Sequence, residues 1–233
     1  MTKTINLGVL GIDHGHIFDM LDEMLKEGCS CNYFWTEGSP LTLDEFSKKY
    51  PQIKRVDNKS DILNDDTIDM ILISSIPKDR ANLSIDAMKA GKDVMVDKPG
   101  CTTLEQLNNL KQTVKETGKI WSINFSERFH VAAVAKAEEL VAEGKIGKVK
   151  QTIGTGPHRQ GNYERPDWFY DRDSYGGIIT DIGSHQIHQF LVFTNSNEAK
   201  VNHALVENTT RKEFAGFQDF GEVNLTGNGG HGY

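Results

Sequence analysis

The sequence predicts an α/β chain: an N-terminal doubly wound parallel sheet, then a smaller α+β domain with an open, mainly antiparallel sheet. Three observations predict it. Short apolar runs alternate with amphipathic helical stretches as far as about residue 125, the pattern of parallel strands covered on both faces. Glycines at 28, 91 and 118 close three of those helical stretches, as glycine does where a helix must end in a left-handed residue. Beyond about residue 126 the alternation breaks down, and the last strand-like runs have no helix between them. The expected domains are therefore 1–125 and 126–233.

Each element has its own signal. Residues 4–10 read as the first strand, and Ile17, Met20, Leu21, Met24 and Leu25 then recur at helical spacing up to Gly28. A strand over Cys31–Trp35 precedes a short helix over 41–50. The run Met70-Ile71-Leu72-Ile73 has buried-strand character and is followed by a helix over 79–90. Val94-Met95-Val96 is the next strand. Thr102 with Glu105 three residues later forms a capping-box signature for a helix through Thr117. Ile120–Phe125 closes the first domain. The second begins with an Ala-rich helix over 131–143 and a strand over 148–153. An irregular stretch from Gly154 to Tyr175, a helix over 178–193, and strands near 201–207 and 220–226 complete it. Gly227-Asn228-Gly229-Gly230 reads as a hairpin turn, with too little chain after it for a full return strand. The strand before it is expected to be left unpaired, and the chain to be a C-terminally truncated piece of a longer protein, the alternative being a frayed polar tail.

Charge and composition exclude several classes. Lys and Arg total 26 against 33 Asp and Glu, a net charge of -7. This argues against a binder of the nucleic-acid backbone. No apolar stretch approaches the roughly 20 residues needed to span a bilayer, and no signal-peptide pattern precedes the first strand. Three cysteines do not make a disulfide framework. A cytoplasmic protein with a small-molecule partner is expected.

The candidate sites lie where strands end. Gly11-Ile12-Asp13-His14-Gly15-His16 joins the first strand to the first helix. A dinucleotide fingerprint needs G-x-G-x-x-G there, so that the backbone can approach a pyrophosphate at the helix N-terminus. Gly11 fits, but Asp13 takes the second glycine's place and His16 the third. Asp13 is also a good helix cap, and the alternative reading is a capped turn with no nucleotide. His14 and His16 could compensate as donors. Glu37, just past the second strand, is placed like the acidic residue that holds ribose hydroxyls. Asp97-Lys98-Pro99 follows the strand 94–96 and would project its lysine into the same crevice, with a cis proline plausible. The alternative is a solvent-exposed lysine in a turn. In the second domain, Asp181, His185 and His188 stand at i, i+4 and i+7, one stripe of a helix that reads as buried nearly all round, with Ser184 beside them. A polar stripe on a buried helix needs partners or a ligand. Acid–base chemistry, a satisfied internal network, and a metal held by two histidines and a carboxylate are the three readings. Arg128, His158, Arg159 and Trp168 are candidates for binding substrate hydroxyls or carboxylates.

Together these residues resemble the Gfo/Idh/MocA family of NAD(P)-dependent oxidoreductases. The family's Glu-Lys-Pro motif looks like Asp97-Lys98-Pro99, preceded here by Ala90-Gly91-Lys92-Asp93-Val94. Its Gly-Gly-x-x-x-Asp-x-Gly-x-His motif is matched in full from Gly176 to His185. The resemblance implies a Rossmann-like domain joined to a C-terminal sheet domain, and a dehydrogenase acting on a sugar, cyclitol or related polyol. It implies Lys98, Asp181 and His185 as catalytic residues. It implies Gly11, Ile12, Asp13, His14, His16, Glu37, Ser75, Asp97 and Lys98 around the cofactor, and Arg128, His158, Trp168 and His188 on the substrate side. The cofactor is NAD or NADP, with Glu37 favouring NAD because its charge repels a 2′-phosphate. A homo-oligomer is implied for the full-length protein. Asp13, Asp97 in place of Glu, and His188 where many members carry Asp are the departures. A metal-dependent lyase or isomerase using Asp181, His185 and His188, or a non-catalytic binding protein, are the alternatives on the same fold.

Overall fold

The computed structural model describes residues 4–159 and 165–233. Of the irregular stretch expected over 154–175, positions 160–164 lie outside the described residues. The backbone forms two compact units, one running to Asn124 and including Ser174–Gly176, the other made of Phe125–Asp173 and Gly177–Tyr233.

The first unit alternates strands and helices in the order β1 (Asn6–Leu10), α1 (His16–Lys26), β2 (Ser30–Trp35), α2 (Leu43–Lys49), β3 (Lys54–Arg55), α3 (Lys59–Leu63), β4 (Met70–Ile73), α4 (Pro77–Lys89), β5 (Asp93–Asp97), α5 (Leu104–Thr117) and β6 (Trp121–Asn124). All six strands are parallel, in the order β3-β2-β1-β4-β5-β6. The direction of winding reverses between β1 and β4, and an open sheet binds its ligands at such a point, beyond the carboxyl ends of the strands.

Successive strand residues feed opposite layers. Leu7, Val9 and Leu72 join Ile17, Leu21, Phe34 and Phe46 on one face. Leu10, Ile71, Ile73, Val94 and Val96 join Ile62, Ala81, Met88 and Leu110 on the other. The helix α5 starts one residue later than its sequence signature suggests. Thr103 is the N-cap and accepts from the Gln106 N–H at 3.1 Å, while the Gln106 side chain reaches back to the Thr102 N–H at 2.8 Å. The box is built with glutamine rather than Glu105. Asp13, expected as a possible cap of α1, does not cap it; Gly15 occupies that place, with no side-chain bond.

The second unit contains α6 (Ser126–Phe129), α7 (Ala132–Ala142), β7 (Gln151–Thr152), a 3₁₀ turn over Asp167–Tyr170, and most of its remaining order in α9 (Ser184–Phe193), β8 (Ala199–Glu207), β9 (Phe220–Gly227) and β10 (His231–Gly232). The short helix α8 (Arg172–Tyr175) spans the division between the units. The sheet runs β7-β10-β9-β8, antiparallel except for β10 against β7.

Two expectations are corrected here. The strand before the glycine-rich turn is not left unpaired: Gly227 N–H donates to the Gly230 carbonyl at 2.8 Å, and His231 and Gly232 return to pair with Thr226 and Leu225. The turn needs only two residues beyond it to close, because β7 continues the sheet on the far side of β10. The helix over 178–193 is not buried all round either. Of α9, only His185 and Phe190 are buried, and the Phe190 ring packs so closely on Gly227 and Gly232 that a Cβ at either would come within 2.8 Å of it. Among the described residues no helix is long and apolar enough to cross a membrane.

Candidate functional site

The turn after β1 is shaped by a single close approach. Gly11 has φ +79°, and a Cβ there would lie 2.7 Å from the Ser75 Cα and 2.9 Å from its nitrogen. Gly11 N–H reaches the Trp35 carbonyl, and Ser74 N–H reaches that of Gly11. The first position of the fingerprint is therefore glycine for a steric reason. Ile12 and Ser75 are buried, the former wholly inside the core, while Glu37 is exposed just beyond β2. Asp13 turns its carboxylate towards the backbone N–H of Ile76 and its own N–H. Burial pushes it up to about 6, with the Arg80 charge opposing.

Asp97, at the end of β5, is the centre of the unit's polar cluster. Its carboxylate is wholly buried, with His16 Nδ1 2.8 Å from Oδ1, His14 Nδ1 2.9 Å from Oδ2 and Arg80 Nη2 3.0 Å from Oδ2. The His16 contact is a well-aligned hydrogen bond, whereas the His14 nitrogen is near enough but off line. The two imidazoles lie edge to face at 4.3 Å. Desolvation alone would raise the Asp97 pKa, but Arg80 and the two histidines hold it well below the usual carboxylate range. Burial lowers His14, against the pull of Asp97.

Arg80 carried no signal in the sequence, yet it is 1% exposed and binds three segments. Its Nε donates to the Ser75 carbonyl at 2.8 Å, and Nη1 donates to the carbonyls of Lys98 and Pro99. The loop that carries Lys98 is thus tied from beneath. Lys98 is 4% exposed, not the solvent-facing lysine of the alternative reading, and the bond to Pro99 is cis.

In the second unit the helical stripe of Asp181, His185 and His188 is interrupted. Ile179–Gly183 forms a π turn ahead of α9, and such turns widen the helix by a residue and recur at functional sites. Asp181 sits on that turn, its N–H donating to the Gly177 carbonyl at 2.8 Å, and Ser184 Oγ lies 3.5 Å from the Asp181 carbonyl. His185 is buried, edge-on to Phe125 at 5.9 Å. His188 stacks on the same ring at 4.3 Å, and its Nε2 lies 3.3 Å from Arg128 Nη1. Burial, then the Arg128 charge, lowers the His188 pKa.

Arg128 is itself clamped by Glu138 through two contacts, 2.6 and 2.9 Å. His158 is exposed and 3.7 Å from Glu127, which also accepts from Gln186 at 3.1 Å. Trp168 packs edge-on against Phe169, and Arg159 is exposed. The structure thus brings His185, His188 and Arg128 together around Phe125, with His158 joined to α9 through Glu127 and Gln186. Sequence reasoning missed Glu127, Glu138 and Gln186, which bear no motif. It also expected, as an alternative, a metal triad of Asp181, His185 and His188. Among the described residues the set whose ligand atoms converge, within 4.8 Å, is instead His14, His16 and Asp97.

The chain was compared with known proteins. Residues 43–125 match the oxidoreductase family with an NAD-binding Rossmann fold, and residues 134–232 match the GFO/IDH/MocA C-terminal domain. The scyllo-inositol 2-dehydrogenase (NADP(+)) IolW of Bacillus subtilis (strain 168) is 24% identical over 194 residues, 81% of this chain and 51% of its own length. D-xylose dehydrogenase of Paenarthrobacter nicotinovorans is 27% identical over 146 residues, 60% of this chain and 37% of its own. A crystal structure from Erwinia carotovora atroseptica SCRI1043, assigned to the oxidoreductases, superposes with a TM-score of 0.95 at 38% identity, covering 99% of this chain and 69% of that one. The chain spans about half the length of the first of these curated relatives and less of the second.

Proposed function

Because the chain belongs to the Gfo/Idh/MocA family of oxidoreductases, we propose that it carries the NAD(P)-dependent dehydrogenase site of a longer enzyme acting on CH–OH groups of a sugar, cyclitol or related polyol. The observation that carries the reading is Lys98: a buried lysine at the carboxyl end of a central strand, on a loop held by Arg80. Lysine is rarely buried, and a lysine buried beside a ligand crevice is a candidate for its chemistry.

The first unit suits a dinucleotide on three counts. Gly11 leaves room where a side chain would collide, the α1 N-terminus has no side-chain cap to occupy its amide donors, and the sheet reverses beside it. Gly11, Ile12, Asp13, His14, His16 and Ser75 line that turn in this reading, with Asp97 acting through the histidines and Glu37 set for the ribose. A bound nicotinamide supplies the hydride acceptor or donor. Lys98 hydrogen-bonds the substrate hydroxyl, His185 holds that hydroxyl's proton, and Asp181 positions substrate and imidazole. Arg128, His188, His158 and Trp168 bind the remaining hydroxyls. The same reading carries cytoplasmic location and assembly of the full-length protein into a homo-oligomer.

Titration with NADH and NADPH, followed by nicotinamide fluorescence, tests it. Binding of at least one is expected, and binding of neither sinks the assignment. In the active enzyme, Lys98→Ala and His185→Ala are each expected to lower kcat by about 10²- to 10⁴-fold with cofactor affinity retained. Equal loss of both quantities would contradict the roles given to them.

A further inference from the structure

The turn between β1 and α1 carries side chains at two positions where the usual fingerprint has glycine: Asp13 and His16. The two histidines of that turn are nevertheless built into the fold. Each Nδ1 faces a different oxygen of one buried carboxylate, at 2.8 and 2.9 Å, and the carboxylate is held in its charged form by the buried Arg80. With Nδ1 turned inward, Nε2 is the nitrogen each ring has left for a ligand. His16 Nδ1 is hydrogen-bonded to Asp97 while His14 Nδ1 is near it without an aligned bond, and the side chains are 27% and 28% exposed.

The chemistry of that remaining nitrogen depends on one proton. A neutral imidazole that donates through Nδ1 offers only a lone pair at Nε2, which repels a phosphate oxygen; the imidazolium donates from both nitrogens. The uncapped N-terminus of α1 adds its own positive end. A divalent cation on the same three groups would share its carboxylate with a guanidinium 3.0 Å away in a dry site, whereas an anion faces the Asp97 charge only across the imidazoles, which offset it when protonated.

We propose that the pyrophosphate of the dinucleotide is held by His14 and His16 as an imidazolium pair braced by Asp97, so that cofactor binding takes up protons from solution. This rests on the NAD(P)-binding reading and specifies how that site recognises its anion. The groups around the pair are Asp97 from β5, Arg80 from α4 and Ser74 from the loop after β4. For His14, burial opposes the charged ring first, then His16 and Arg80, while Asp97 favours it. Burial lowers the His14 pKa in the free protein, so the proton of an imidazolium there is one gained with the anion. Asp13 is the other group able to gain one, and a variant separates the two.

Calorimetric titration with NADH in buffers of differing ionisation enthalpy reads the protons directly. The pyrophosphate of NADH is a diester without a titrating proton near neutrality, so uptake belongs to the protein. Between about half a proton and two protons are expected per NADH near pH 7.5, with Kd tightening as the pH is lowered from about 8.5 to about 6.5. Asp13→Asn keeps the uptake. The double variant His14→Gln, His16→Gln, checked for folding by circular dichroism, loses it and binds about 10-fold or more weakly. NADH binding with heats independent of buffer, or uptake that vanishes in Asp13→Asn and persists in the double variant, overturns the imidazolium pair while leaving the dinucleotide reading intact. No NADH binding at any pH overturns both.

Discussion

Arg80 shows how much of a site can rest on a residue with no motif. Its guanidinium meets the carbonyls of Ser75, Lys98 and Pro99 and the carboxylate of Asp97 at once. In sequence it is one more charge on an amphipathic helix, because its partners are loop carbonyls and a strand end that only the fold assembles. Lys98 and His185, by contrast, stand out in the sequence as candidates because their neighbours in sequence are also their motif. Removing Arg80 leaves Asp97 as an uncompensated buried charge, and breaking such a pair costs about 3–5 kcal/mol. Arg80→Leu is therefore expected to lose about that much in urea denaturation. Arg80→Lys should recover only part of it, since an ammonium keeps the charge without the planar fork. Equal stability of Arg80→Leu and the wild type would remove Arg80 from this role.

At the scale of elements, the apolar runs announced β1, β4, β5 and the long helices, but two-residue strands such as β3, β7 and β10 are defined by their partners and leave no periodicity to read. The π turn was equally hidden, since an inserted residue changes the helical spacing without changing the composition. The segment between β8 and β9 is organised by one carboxylate. Asp219 accepts from the N–H groups of Thr209 and Thr210, at 2.6 and 2.8 Å, and from the Thr210 hydroxyl. Desolvation opposes its ionisation, but these donors outweigh it and lower the pKa from 3.8 to about 2. A depressed carboxylate stabilises the fold above the unfolded-state pKa, and the benefit fades as the pH falls from 3.8 through about 2. Asp219→Asn is expected to cost about 1 kcal/mol at neutral pH after solvent screening. The difference from wild type should shrink on acidification towards pH 2, as followed by thermal melts; a difference independent of pH would dismiss the carboxylate's part.

On the scale of the whole molecule, the doubly wound parallel sheet and the identity of the family were both within reach of the sequence, whereas the closure of the second sheet was not. That closure depends on Phe190, which lies over Gly227 and Gly232 and is 2% exposed. Phe190→Ala is expected to cost about 3–5 kcal/mol, seen by calorimetry and by faster amide exchange in β9 and β10. Exchange unchanged in those strands would show that the ring does not hold them. The order in which the chain is synthesised gives β10 a further meaning. The hairpin of β8 and β9 joins neighbours in sequence, but β7 is hydrogen-bonded to β10, about 80 residues downstream. Gln151 and Thr152 must leave the ribosome long before His231 exists to receive them. At the usual rate of synthesis, about 5–20 residues per second, that strand waits for seconds without a neighbour. The nascent sheet has an open seat during that interval, and translation speed through the last third of the chain sets how long a chaperone has to guard it.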